Sequence, residues 1–333
     1  MQTKPLAERI RDARQIILTT HQGPDGDGIG SQLGIAFALE ALGVRAEGFL
    51  QGEVPARLRF LPGAHRLRDW DQVAPAERHA LFAQTDFALV LDTHAWDLAG
   101  SLGEQLRTAS FPTFFLDHHP SPACRQPQVF CDPYASSTGE LCWSLIRELG
   151  APLSPEAATC LYAAIAYDTN SFKYLRGRAT AHHAAAALIE AGADAATVYR
   201  HLFASRSPRK IALFAQILDQ TRREDEGRIA WLFIPRAWAA SDEITRDDLR
   251  DLVTCLLETE GVEVAFTLQE ETSDTLKVSL RSMGRVPVNR VARQLGGGGH
   301  MNAAAAQIPG PIERAAQQVL SLIRAAESLP EYP

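Results

Sequence analysis

The sequence predicts an α/β protein: an N-terminal, mostly parallel sheet flanked by helices, then a smaller C-terminal α/β domain. Three observations lead there. Over roughly the first 190 residues, short apolar runs alternate with stretches of helical periodicity, the pattern of strands joined by helical crossovers. Several of the runs stop abruptly on polar residues, most clearly Phe114-Phe115-Leu116-Asp117-His118-His119, where an apolar run delivers one carboxylate and two imidazoles. In open α/β sheets ligands bind outside the carboxyl ends of strands, so such an ending marks a site. Past the polar segment 205–209 the texture changes to a second group of strands and helices. Domains are therefore expected at 1–190 and 216–333, with 191–215 as the linker.

Taken in order, residues 6–14 predict a short helix and Ile16 to Thr20 a strand ending at His21. The next stretch, Gln22-Gly23-Pro24-Asp25-Gly26-Asp27-Gly28-Ile29-Gly30, has the small, turn-forming residues of a loop. Ser31 then opens a helix with apolar positions at Leu33, Phe37 and Leu42, and Gly43 is placed to end it. Val44 to Leu50 reads as a strand, followed by a polar, proline-containing excursion to about residue 84. Phe87 to Leu91 is a buried strand ending at Asp92, and Phe111 to Leu116 is the strand that ends on Asp117. Ser137 and Glu140 have capping-box spacing before a helix that runs to Leu149, with Gly150 beyond it. Ser154-Pro155-Glu156 opens another helix leading to Asp168, and an alanine-rich helix spans 179–191. Later, 229–234, 262–268 and 276–280 predict strands, with helices near 245–259, 287–295 and 311–326. Pro311 suits the first turn of the last of these.

At 333 residues, 46% hydrophobic and 22% charged, the composition is that of a globular chain long enough for two domains. No stretch reaches the roughly 18 apolar residues that span a bilayer, and residues 1–6 lack the apolar core of a signal peptide, so a cytoplasmic protein without a membrane partner is expected. The five cysteines (124, 131, 142, 160 and 255) form no CxxC pair, which predicts reduced thiols. The formal net charge of -7 argues against gripping long duplex DNA and favours a short phosphorylated ligand.

The chemistry gathers at the strand ends. His21, Asp92 and Asp117-His118-His119 end three strands, the loop adds Asp25 and Asp27, and a helix end adds Asp168. Carboxylates with only a few imidazoles suit Mn²⁺ or Mg²⁺ better than zinc. So many carboxylates together would repel one another unless about two divalent cations neutralised them. Gly26, Gly28 and Gly30 are expected to let the loop bend closely around an ion. Each piece alone has a plainer reading, as a turn, a cap or an ion pair such as Asp168 with Lys173. Their joint arrival at several strand ends does not.

His21-x-x-Pro24-Asp25-Gly26-Asp27-x-x-Gly30-Ser31, Asp92, Asp117-His118-His119 and Tyr167-Asp168-Thr169-x-x-Phe172 resemble the successive motifs of the DHH phosphoesterases. Ser279-Leu280-Arg281-Ser282 and Gly296-Gly297-Gly298-Gly299-His300 resemble the DHH-associated substrate domain. The branch most similar is the short two-domain enzymes that degrade nanoRNA and dephosphorylate 3′-phosphoadenosine 5′-phosphate (pAp). The RecJ-type exonucleases share the motifs but are longer.

The resemblance implies two-metal phosphoester hydrolysis, with Mn²⁺ the expected ion and Mg²⁺ or Co²⁺ the alternatives. His21 and Asp25 would hold the first metal, Asp27, His118 and Asp168 the second, and Asp92 would bridge them. His119 would contact the substrate phosphate, and Asp117 would orient a histidine. Arg281, Ser282, Gly297, Gly298, Gly299 and His300 would grip substrate, the glycines as a backbone nest ahead of a helix. Two positions depart from the family pattern: an expected arginine is missing from His94-Ala95-Trp96-Asp97-Leu98, and Ala305 replaces a glycine. His94 is open between a ligand, a phosphate contact and an exposed residue. The expected activity is cleavage of short oligoribonucleotides and dinucleotides, with pAp phosphatase activity beside it. The rivals are a cyclic di-AMP or pGpG phosphodiesterase, a pyrophosphatase or polyphosphatase, and a nucleotide sensor without turnover. The protein is expected to be a monomer or homodimer.

Overall fold

The computed structural model describes residues 3–120, 124, 126–175, 178–239 and 246–327, and the chain divides into two units, 1–205 and 206–333. The first runs α1 (Lys4–Asp12), β1 (Gln15–Thr19), α2 (Gly26–Ala41), β2 (Arg45–Leu50), β3 (Arg68–Asp69), α3 (Pro75–Gln84), β4 (Phe87–Leu91), α4 (Gly100–Leu106), β5 (Thr113–Asp117), β6 (Val129–Cys131), α5 (Thr138–Leu149), α6 (Pro155–Asp168), α7 (Thr180–Glu190) and α8 (Ala195–Phe203). Its strands pair in parallel throughout, in the order β3-β2-β1-β4-β5-β6. The order reverses between β1 and β4, and a doubly wound sheet opens a ligand crevice at that point.

Burial explains why these strands read as unbroken apolar runs. Ile16, Leu18, Leu89, Leu91 and Leu116 pack in one core with α1, α2, α5 and α6. Ile17, Ala88, Val90 and Phe115 alternate with them and meet Trp70, Leu81, Leu102 and Leu106 in a second core. A sheet covered on both faces needs apolar residues at every position rather than at alternate ones. The helix starts follow their caps. Ser137 accepts from Glu140 N at 3.1 Å, Ser154 from Ala157 N at 3.2 Å, and Gly150 (φ +67°) ends α5 in the left-handed region.

The start of α2 corrects the sequence reading. The helix begins at Gly26, not Ser31, because Asp25 caps it by accepting from Asp27 N and Gly28 N at 2.9 and 3.2 Å. Gly26, Gly28 and Gly30 therefore lie in helical turns and do not bend a loop around an ion. Their smallness serves packing: a Cβ at Gly30 would sit 2.5 Å from the carbonyl oxygen of Cys160, and one at Gly34 would sit 2.5 Å from the Leu161 side chain. The two glycines bring α2 against α6.

Other features lay outside the sequence reading. The excursion before residue 84 contains β3 and α3. Residues 191–215, read above as linker, hold α8, which packs on α6, and most of the helix that opens the second unit. Cys124 and Cys131 are joined in a disulfide, against the expectation of five reduced thiols. The physical reason is proximity: Cys131 lies on β6 with its Cα 5.3 Å from that of Cys124, within the span a disulfide bridges. Cys142 and Cys160 are buried thiols, and Cys255 is half-buried.

The second unit runs α9 (Pro208–Leu218), β7 (Arg222–Glu224), β8 (Ile229–Ile234), α10 (Arg236–Ala239), α11 (Arg246–Leu257), β9 (Val264–Glu270), β10 (Thr275–Ser282), α12 (Val288–Gln294), β11 (Gly298–His300), β12 (Ala303–Pro309) and α13 (Ile312–Glu327). Its sheet has the order β11-β12-β10-β9-β8-β7 and is mixed, since β8 and β9 are parallel while the other pairs are antiparallel. Phe266, Leu268, Val278 and Leu280 share a core with Val291 of α12 and with Val319 and Ile323 of α13. The other side of β10 (Thr275, Lys277, Ser279 and Arg281) is half-buried. No helix among the described residues is long and apolar enough to cross a membrane.

Candidate metal centre

The carboxyl ends of β1, β4 and β5, the N-termini of α2 and α5 and the C-terminus of α6 meet at the crevice where the strand order reverses. Asp92 ends β4 and is its centre. Its backbone is held at φ +62°, a conformation that costs an L-residue energy and persists where surrounding structure imposes it. The side chain is 4% exposed. One oxygen, Oδ2, lies 3.5 Å from His21 Nε2. The other, Oδ1, lies 3.5 Å from His118 Nε2 and accepts from Thr138 Oγ1 at 3.0 Å.

The two oxygens thus face two groups of donors. On the first side are His21 and Asp25, whose nearest atoms are 4.0 Å apart. His21 Nδ1 bonds the Gln22 carbonyl at 2.9 Å, which turns Nε2 toward the carboxylates. On the second side, His118 Nε2 faces Asp27 Oδ2 at 3.6 Å and Asp168 Oδ2 at 3.5 Å, with Nδ1 directed to the Ala135 carbonyl at 3.4 Å. Ligand atoms about 2.1 Å from one ion stand roughly 3.0–3.5 Å from each other. Separations of 3.5–3.6 Å are too long for hydrogen bonds and suit atoms that share a cation. His21, Asp25 and Asp92 offer ligand atoms within 4.8 Å of one another, and so do Asp27, His118 and Asp168. By this test the residues present fit two divalent cations.

The electrostatics agree. Burial, with repulsion from Asp92, Asp168 and Asp25, pushes the Asp27 carboxyl far above its usual range. Burial is also the main cause that raises Asp92 to about 6, although the neighbouring His21 works the other way. For His21, burial opposes the charged form but is outweighed by Asp92, Asp25 and the Gln22 carbonyl, which lift it to about 9. These are the shifts a divalent cation would offset, since carboxylates crowded together out of water favour protons unless a larger positive charge neutralises them.

Two supports went unread in the sequence. Asp27 is anchored on the first turn of α5: Oδ2 accepts from Thr138 N at 2.7 Å, and Oδ1 from Gly139 N at 2.9 Å and Ser31 Oγ at 3.3 Å. A helix N-terminus attracts a carboxylate through its unpaired N–H groups and its dipole. The capping signature at Ser137 announced that terminus, but only the tertiary fold says which carboxylate reaches it. The second support is His94. Its Nδ1 hydrogen-bonds Asp117 Oδ2, and its side chain is 13% exposed.

Asp117 combines the two readings open to it, turn residue and orienter of a histidine. Its Oδ1 accepts from His118 N (2.8 Å), His119 N (3.1 Å) and His119 Nδ1 (2.8 Å), and the side chain is fully buried. Burial alone would raise its pKa, but the bonds from His119 and His94 hold the carboxyl well below the usual range. His119, opposed by burial yet favoured by Asp117, Asp92 and Asp168, is lifted to about 9. Its side chain is 41% exposed, unlike that of His118 at 1%.

The second unit separates its expected substrate residues. Arg281 of β10 pairs with Ala303 of β12, which pairs with His300 of β11, so the three lie in one row across the sheet with a small residue between the two large ones. Ser282 does not join them. It is fully buried, and its hydroxyl donates to the Val286 carbonyl at 2.7 Å, which closes the turn after β10. The glycine run is not a nest ahead of a helix either. Gly296 N and Gly297 N bond the carbonyls of Arg293 and Ala292 and so end α12, while Gly298 and Gly299 pair with Ala305 and Ala304 along the edge strand β11. A Cβ at Gly299 would lie 2.5 Å from the Ala303 carbonyl oxygen, so this edge pairing needs glycine there.

Comparison with known proteins extends these findings. Residues 15–165 match the model of the DHH family N-terminal domain, and residues 228–328 match that of the DHHA1 domain. The bifunctional oligoribonuclease and PAP phosphatase NrnA of Thermus thermophilus is 30% identical over 314 residues, which cover 93% of this chain and 89% of that protein. The cyclic-di-AMP phosphodiesterase GdpP of Geobacillus thermodenitrificans is 29% identical over 91% of this chain, which spans only 46% of that protein. Among solved structures, an exopolyphosphatase-related protein from Bacteroides fragilis superposes with a TM-score of 0.85 at 25% identity, over 97% of this chain and 95% of that one. With its acidic and imidazole donors at the strand ends and a close relative along nearly its whole length, the chain belongs to the DHH phosphoesterases, in the DHH–DHHA1 arrangement, and is a hydrolase.

Proposed function

We propose that the protein cleaves very short oligoribonucleotides and dinucleotides to mononucleotides by two-metal hydrolysis, and that it also removes the 3′-phosphate of pAp. The observation that carries the reading is Asp92, whose two oxygens face separate donor groups as a bridging carboxylate would. His21 and Asp25 would hold one cation and Asp27, His118 and Asp168 the other. The carboxylate-rich donor set favours Mn²⁺, with Mg²⁺ and Co²⁺ as alternatives. Bound there, two divalent cations supply Lewis acidity, which neutralises phosphate charge and acidifies a water. The protein's own groups do the rest. Asp117 engages Nδ1 of His119, so His119 would donate to a phosphoryl oxygen through Nε2 and stabilise charge that grows in the transition state. In the second unit, Arg281 and His300 would take the far phosphate of the substrate, Arg281 as a two-pronged donor. The half-buried row they occupy supports this assignment. The buried Ser282 does not, and we leave it out; Gly297, Gly298 and Gly299 would contribute shape only. Such substrates place the enzyme in the cytoplasm.

The similarity to NrnA supports the substrate class. A second reading, hydrolysis of cyclic di-AMP or of linear pApA or pGpG, draws support from the GdpP relative, whose shared portion covers nearly the whole of this chain. Initial rates in Mn²⁺ on pAp and cyclic di-AMP separate the two, with pApA, cut under both, and pyrophosphate run beside them. Release of AMP from pApA, and of AMP and inorganic phosphate from pAp, with little loss of cyclic di-AMP, is the expected result. Preferential cleavage of cyclic di-AMP would replace the first reading with the second.

A further inference from the structure

We propose that His94 is a positioning residue that locks the Asp117 carboxylate in the rotation that holds His119. The inference rests on the hydrolytic reading above and concerns how the same site is kept in order. A carboxylate can accept about four hydrogen bonds over its two oxygens. Asp117 Oδ1 already takes three donors, His118 N, His119 N and His119 Nδ1, while His94 Nδ1 is the donor at Oδ2. The site is fully buried, where an oxygen stripped of its donor is costly. Without His94 the carboxylate gains by turning toward other donors, and any turn disturbs all three bonds at Oδ1.

His94 is itself rigidly placed. Thr93 Oγ1 accepts from Ala95 N at 3.2 Å and closes the turn after Asp92. Trp96 then packs edge-on against Phe115, with ring centroids 4.8 Å apart. Phe115 and Asp117 are two residues apart on β5 and so share a face of the sheet. Two residues apart in their own turn, His94 and Trp96 meet that face together. The aromatic contact fixes the height at which the imidazole arrives, and the turn that carries the bridging Asp92 thereby also secures His119.

The test uses the full-length, Mn²⁺-loaded protein with bound manganese counted in every variant. His94→Ala is expected to keep its manganese and lower kcat about 10- to 100-fold, the usual effect of removing a supporting partner from a metal site. KM should change less than kcat, since the bond from His119 strengthens as charge grows in the transition state. His94→Asn, whose amide N–H reaches close to where Nδ1 does, should recover most of the loss. Added to Asp117→Ala, the His94→Ala change should cost nothing further, because its only route of action is already gone. An equal loss in both backgrounds, a loss of manganese, or full activity in His94→Ala would each overturn the proposal. A second readout needs no turnover and so stands apart from the substrate assignment. In metal-stripped protein, the downfield Nδ1–H proton of His119, identified by its absence in His119→Gln, should shift or vanish in His94→Ala and return in His94→Asn. An unchanged His119 proton in His94→Ala would also overturn it.

Discussion

Asp92 shows how much a single side chain can be asked to do at this site. On the proposed reading it belongs to both cations, so Asp92→Ala should lose both. The expected fall in kcat/KM exceeds the roughly 10–100-fold that follows from losing a supporting hydrogen bond. Calorimetric titration with Mn²⁺ should find fewer than one site in place of two. Ser282 makes the opposite case. Its hydroxyl closes a buried turn, so Ser282→Ala should leave KM for pApA unchanged and destabilise the second unit by about 1 kcal/mol, read from urea unfolding. Both residues sit in recognisable motifs, and the motif alone does not say which touches substrate. His94 was legible only as a departure from pattern, because its partner Asp117 is 23 positions away and only the pairing of adjacent strands brings them together.

At the scale of elements, the sequence was most readable where burial and local chemistry agree. β4 and β8 were read to the residue, since unbroken apolar runs bounded by polar residues have few other interpretations, and the Ser137 and Ser154 caps placed α5 and α6 correctly. It misled where glycine carries two meanings. Residues 26–30 look like a loop because glycine disfavours helix, yet here the glycines let α2 approach α6 closely, and Asp25 supplies the cap that starts the helix early. The same ambiguity hid the edge strand β11, and alanine, a weak strand former, hid β12. A substitution distinguishes the two meanings of glycine. In an exposed helix Gly→Ala stabilises by about 1 kcal/mol. Gly30→Ala should instead destabilise by about 1–3 kcal/mol, because its methyl meets the Cys160 carbonyl. A gain in stability on urea unfolding would refute the packing role.

For the molecule as a whole, the site is a concentration of buried negative charge that the fold alone does not neutralise, so stability should depend on metal and on pH together. In metal-stripped protein, His21 and His119 have pKa values raised from the ordinary 6.5 to about 9. The stability they contribute is fully present below about pH 6.5 and is lost as the pH rises through about 9. Asp92, raised from 3.8 to about 6 mainly by burial, adds a cost as it ionises between about pH 4 and pH 6. The melting temperature of the stripped protein should therefore fall as the pH increases from 6.5 to 9. Saturating Mn²⁺ should reverse the trend, since ions displace those protons and bind better as the pH rises. A flat profile in the stripped protein would mean that the histidines are not held by the carboxylates as described.

A site built on two cations that share Asp92 is tested most directly by anomalous diffraction at the manganese edge from Mn²⁺-soaked crystals. Two peaks are expected about 3.5–4 Å apart, one among His21, Asp25 and Asp92 and the other among Asp27, Asp92, His118 and Asp168. A single peak, or a pair that leaves Asp92 outside the coordination of either ion, would contradict it.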